Sequence, residues 1–109
     1  MTVPTIWYIR AQIVRALDDD FPQIVEAQFT DSFGRTWSVI DKAPVVVAAD
    51  EDAWPYTRSP QPAFLGCTIV SRDRDETGGE TVEVSTLWGI ETEEGVTTFT
   101  VWADQLTTR

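Results

Sequence analysis

From Val25 to Val39, apolar and polar side chains alternate on either side of the tetrad Asp31-Ser32-Phe33-Gly34. Few patterns restrict a chain more. Successive side chains of a strand point to opposite faces, so a slip of one residue would turn the whole apolar set toward water. Val25, Ala27, Phe29, Trp37 and Val39 share one face, and Glu26, Gln28, Thr36 and Ser38 share the other. Asp31 and Ser32 can bond nearby backbone N–H groups, and Gly34 can take the positive φ that ends a short hairpin loop. The stretch predicts a β-hairpin within Ile24 to Asp41.

The flanking sequence reads the same way. Ile6 to Leu17 is aromatic and β-branched, with Trp7, Ile9, Ala11, Ile13 and Leu17 on one strand face, and Asp18-Asp19-Asp20-Phe21-Pro22 breaks it. After Pro44, Val45-Val46-Val47-Ala48 is expected to extend the sheet briefly at an edge. The second half predicts strands at Phe64 to Ser71, Thr81 to Trp88 and Thr97 to Trp102. The last two are joined by a loop containing Thr92-Glu93-Glu94-Gly95, and Ala103 to Leu106 has room for one terminal helical turn. Between the halves, Ala49 to Pro62 shows no strand period and reads as a crossover, which leaves residues 1–109 as a single all-β domain.

The halves also resemble each other. Ala11-Gln12-Ile13-Val14-Arg15 matches Cys67-Thr68-Ile69-Val70-Ser71, Val25-Glu26-Ala27-Gln28 matches Val82-Glu83-Val84-Ser85, and Gly34-Arg35-Thr36 matches Gly95-Val96-Thr97. Neither three-stranded meander can bury its apolar face alone. The expectation is a small antiparallel barrel or sandwich of about six strands, two meanders related by an internal repeat, with an SH3-like or OB-like partly open barrel as alternatives. Its core would gather Val25, Phe29, Trp37, Val39, Leu65, Ile69, Val82, Val84, Phe99 and Val101.

Charge and missing residue types narrow function. A formal charge of −10 over 109 residues opposes docking on nucleic-acid phosphates or anionic lipid and favours a basic protein partner. No histidine is present, which removes the usual triads and most transition-metal sites. Cys67 falls on the apolar face with Leu65 and Ile69 and reads as a buried hydrophobe. A lone cysteine, an N-terminus unlike a signal peptide and no apolar run long enough to span a bilayer together predict a soluble, cytoplasmic protein. Thr77-Gly78-Gly79-Glu80 lacks the Lys-Ser/Thr of a phosphate loop. The acidic runs Asp18-Asp19-Asp20 and Asp73-Arg74-Asp75-Glu76 do not follow a calcium-loop spacing, so no metal or other cofactor is expected. Asp41 and Glu83 could pair as hydrolase carboxylates only by residue type.

Aromatic rings beside acids are the more informative signal. Asp50, Glu51 and Asp52 precede Trp54 and Tyr56, and Trp88 precedes Glu91, Glu93 and Glu94. Large rings anchor interfaces, and an acidic rim steers a basic partner. Trp54 and Tyr56 fit either an exposed anchor or a plug at a barrel end, whereas Trp88 reads as core. The expectation is a non-enzymatic acidic interaction module, for instance an immunity or inhibitor protein that blocks a basic toxin nuclease. A structural or accessory subunit of phage or secretion type is the alternative, and a carboxylate enzyme is the remaining one.

Overall fold

The computed structural model describes residues 5–17, 23–46 and 61–108. Seven antiparallel strands form one curled sheet, a half-barrel: β1 (Trp7–Ala16), β2 (Ile24–Thr30), β3 (Thr36–Lys42), β4 (Gln61–Arg74), β5 (Glu80–Thr86), β6 (Thr98–Trp102) and the short β7 (Leu106–Thr107). A helical turn, α1 (Ala43–Val46), follows β3, and a 3-10 turn at Ala103–Gln105 follows β6. The strand order is β3-β2-β1-β4-β5-β6, with β7 on the other edge of β1 from β4.

Two meanders therefore lie side by side in one sheet, joined where β1 pairs with β4. The internal repeat is visible in their ladders. In the first, Gln12 pairs with Gln28 and Ile13 with Ala27; Val14 is then skipped as a bulge, and Arg15 pairs with Glu26 and Ala16 with Val25. In the second, Thr68 pairs with Ser85 and Ile69 with Val84; Val70 is skipped, and Ser71 pairs with Glu83 and Arg72 with Val82. Both bulges fall at matched positions of the repeat. The same offset that carries Ile13 onto Ile69 carries Ile9 onto Leu65, and Ile9 and Leu65 are ladder partners. They mark a pseudo-twofold axis, and both are fully buried.

The symmetry continues past the last strand of each unit. Ala43 and Val46 of α1 are buried and α1 lies against β4, while Ala103 and Leu106 of the second unit fold in similarly and Leu106 pairs with Ile9 of β1. Each meander is thus capped by a turn from the other. Val45 and Val46 belong to this turn and not to a strand, which corrects the expectation of a sheet extension there. Pro44 is compatible because the first helical turn has no intrahelical use for its missing N–H.

A bulge adds one unpaired residue and shifts the face parity beyond it. That explains why Leu17, expected on the core face of β1, is exposed. Of the expected core, eight residues are buried, while Trp37 and Ile69 are partly buried against it. Ile9, Ile13, Ala63, Cys67 and Ile90 join them. The ends of the sheet approach each other through Phe99, whose ring meets Phe29 and Trp37 edge-on at 5.1 Å each. A single bridge from Val39 to Thr92 and a bond from the Ser32 N–H to the Thr100 carbonyl at 2.9 Å hold the curl.

Candidate functional site

Three turns share one design, and they carry the exposed Phe33, Glu76, Glu93 and Glu94. At Asp31-Ser32-Phe33-Gly34-Arg35, the Asp31 N–H donates to the Arg35 carbonyl and the Gly34 N–H to the Asp31 carbonyl. Asp75 to Gly79 and Thr92 to Val96 repeat both bonds. Gly34, Gly78 and Gly95 take φ of 85°, 88° and 85°, a region in which a Cβ would be strained. In each turn the first side chain accepts the N–H four residues on: Asp31 Oδ1 from Arg35, Asp75 Oδ1 from Gly79 and Thr92 Oγ1 from Val96.

The Asp31 version is the most heavily built. Its carboxylate is buried, accepts also from the Phe33 N–H and from the Trp37 indole at 2.8 Å, and Trp37 carries the Arg35 guanidinium 3.9 Å from its ring centroid. Asp75 is half-buried, and the Thr77 hydroxyl, followed by backbone N–H groups, holds its carboxyl below the usual range.

The β5–β6 connection carries the acidic candidates that the structure describes. Glu91, Glu93 and Glu94 are exposed, while Ile90 before them and Thr92 among them are buried and tie the connection to the core. At its start, Trp88 and Gly89 both have positive φ, 58° and 75°, and the Ile90 N–H bonds back to the Leu87 carbonyl at 3.0 Å. Such a primed turn favours Gly or Asn, so a Trp there is held by something else. Gly66 gives the ring its room: a Cβ built at Gly66 would lie 2.2 Å from the Trp88 ring, so the ring packs directly against bare strand backbone. Tyr8, the ladder partner of Gly66, tilts toward it with centroids 6.3 Å apart.

Trp88 nevertheless remains 52% exposed, so it is not core as expected. The strand ends at Thr86, and the turn swings the ring to the outer face of β4. Asp50, Glu51, Asp52, Trp54 and Tyr56 lie outside the described residues.

A cleft elsewhere on the molecule had no counterpart in the sequence reading. Ser71, Asp73, Thr81, Glu83, Thr100 and Trp102 project from the outer face of β4, β5 and β6, opposite the core residues Val82, Val84, Phe99 and Val101. The β2–β3 turn leans against them and encloses a cleft of about 350 Å³ with Ser32 and Phe33 on its wall. Phe33 is 80% exposed, the most open of the large apolar side chains described. Alternation with the core residues Val82, Phe99 and Val101 puts Glu83, Thr100 and Trp102 on the outer face; the turn that walls them comes from the other meander, and no local signal announces that contact.

The remaining sequence candidates resolve plainly. Cys67 is buried, and burial pushes its thiol up to about 12. Asp41, the other suggested hydrolase carboxylate, does not line the cleft that contains Glu83. Among the described residues, no group of three or more His, Cys, Asp or Glu is arranged to hold a metal, and no helix is long and apolar enough to cross a membrane. Comparison with protein-family models, with curated proteins and with solved structures finds no match for this chain.

Proposed function

We propose that this protein is a non-enzymatic interaction module whose outer face, at the β5–β6 connection, receives a basic protein partner. One observation carries the reading: Trp88 is kept half-exposed by a turn that opposes its own backbone preference, on a connection whose charged residues are all glutamates. A left-handed conformation at a bulky residue costs about 1–3 kcal/mol and persists only where its surroundings enforce it. Gly66 and Tyr8 supply that enforcement. Trp88 then serves as the aromatic anchor, and Glu91, Glu93 and Glu94 of the same connection supply exposed negative charge, in a chain of net charge −10. A concrete form of the function is inhibition of a basic nuclease by occupying its phosphate-binding surface with carboxylates.

The test compares the immobilised wild-type protein with Trp88→Ala combined with Glu91→Gln, Glu93→Gln and Glu94→Gln. The wild type should retain a basic protein from an extract of the source cells, and the variant should not, with unchanged far-UV circular dichroism. Association should slow as salt rises, because rim charges act mainly on encounter. Retention by both proteins counts against this surface. Concentration-dependent self-association in light scattering, with no partner, would favour an assembly subunit instead.

A further inference from the structure

We propose that the cleft between the β2–β3 turn and the outer face of β4, β5 and β6 seats an arginine side chain. This rests on the basic-partner reading and adds a contact point separate from Trp88. Gly66, which carries the Trp88 ring, and Asp73, at the cleft, are roughly 20 Å apart along β4 at the usual strand rise.

The charges of the cleft are unevenly spent. Asp75 is engaged by its own turn, and Arg74, the one cation among the described residues of the lining, donates through Nη1 to the Gly78 carbonyl at 2.9 Å. Among the described residues, Asp73 accepts only its neighbour's backbone N–H, and Glu83 only the Ser71 hydroxyl at 3.2 Å. Neither is in an ion pair among the described residues, where Arg72 pairs with Glu80 and Arg15 with Glu26. The Ser32 hydroxyl oxygen, on the same wall, is buried and has no hydrogen-bond partner among the described residues. Buried polar atoms are satisfied in nearly all cases, so an orphan beside a cleft points to a missing donor or acceptor.

Aromatic walls select among cations. Phe33 and Trp102 offer ring surface, and a guanidinium combines a flat face that stacks on rings with edge donors that fit carboxylates. The chain already shows this pairing internally: the Arg35 guanidinium lies over Trp37, whose indole N–H is bound by the Asp31 carboxylate. In the cleft, Glu83 and Asp73 would take the edge donors and rotation of the Ser32 side chain would give its hydroxyl a donor. Lysine presents a compact, strongly hydrated charge with no flat face and uses this chemistry less well.

The experiment is a nitrogen-15 NMR titration of the full chain with N-acetyl-arginine amide, N-acetyl-lysine amide and the uncharged isostere N-acetyl-citrulline amide. The arginine probe should shift the Ser32 and Thr100 amides and the Trp102 indole saturably, the lysine probe should bind several-fold more weakly, and citrulline should leave them unmoved. Glu83→Gln should weaken the arginine probe by about tenfold, as expected for a charge-assisted hydrogen bond, with the rest of the spectrum unchanged. No saturable shift at these groups, equal response to citrulline, or an unaltered response in Glu83→Gln overturns the proposal. Partner capture lost in the Trp88 and glutamate variant without any cleft shift defeats the cleft alone. Cleft shifts with capture unaffected by that variant defeat the β5–β6 surface alone.

Discussion

The two meanders are built on one plan and finished differently. Their ladders, bulges and terminal turns correspond residue for residue, yet the first unit closes its hairpin with a buried carboxylate and the second with a buried threonine. Asp31 and Thr92 perform the same bond to the N–H four residues on. Asp31 also binds the Phe33 N–H and the Trp37 indole, which locks the hairpin to Trp37 and through that ring to Phe99 of the other meander. Thr92 instead sits in a longer connection that first turns out Trp88 and then exposes three glutamates. The comparison teaches that one half invests its turn in holding the sheet together, while the other uses the extra chain to display side chains.

The most severe way to break the correspondence is at its axis. Leu65→Ala should destabilise the protein by about 2–5 kcal/mol, the range for large-to-small core changes, measured by urea denaturation. Ile9→Ala should be similar, and because the two are ladder partners the double variant should depart from additivity. Strict additivity would mean that the meanders do not depend on each other at this pair.

Asp31→Ala comes next, at about 1.5–3 kcal/mol for loss of hydrogen bonds to a charged group. Thr92→Val removes one neutral bond and should cost about 0.5–1.5 kcal/mol. If the order were reversed, the contrast between a locking turn and a displaying turn would fail.

Gly66→Ala drives a methyl into the Trp88 ring, and overpacking of this kind costs about 1–3 kcal/mol. Because the ring can swing toward solvent, the lower end is expected. The sharper readout is the Trp88 indole resonance, which should broaden or move toward its exposed position while the other four stay put. An unmoved resonance would show that Gly66 does not hold the ring.

The smallest effect separates the matched pairs Arg15 with Glu26 and Ser71 with Glu83. Hydrogen bonds from Arg15 and then Ser38 hold the Glu26 carboxyl below its ordinary value. A depressed folded-state pKa means that its contribution is complete above the ordinary carboxylate range, near 4.3–4.5, and disappears as pH falls through the folded value. Glu26→Gln should therefore lower stability slightly at pH 7 and flatten the acid-side loss. Carboxyl NMR titration should find Glu26 protonating at lower pH than a free glutamate; an ordinary value would remove the distinction.

Much of the sheet was legible. The alternation around Val25 to Val39 placed the first hairpin, and the match of Ile13 with Ile69 anticipated equivalent ladders. What escaped was non-local in origin. A bulge at Val14 costs the alternation one residue, so Leu17 read as core when the chain had already changed parity. Val45-Val46 carried β-forming side chains, but docking against β4 decided for a helical turn. Trp88 followed the strand pattern by composition, and only the bare backbone of Gly66 across the sheet gave its ring a place outside. Of the acidic aromatic candidates, Glu91, Glu93 and Glu94 are exposed as their type suggests, and the cleft under Phe33 had no counterpart in the reading at all.

By itself, the sequence determined the all-β class, the two-unit plan and the glycine-dependent turns, because period-two alternation and positive φ are local requirements written in neighbouring residues. The tertiary structure decided how the units meet: side by side through Ile9 and Leu65 in one curled sheet, each capped by the other's final turn. Those contacts join residues distant along the chain, and their energy depends on shape and mutual burial that no single segment specifies. The same long-range packing brought Phe33 and Glu83 into the lining of one cleft and set Trp88 on Gly66, the two places where a partner is proposed to dock.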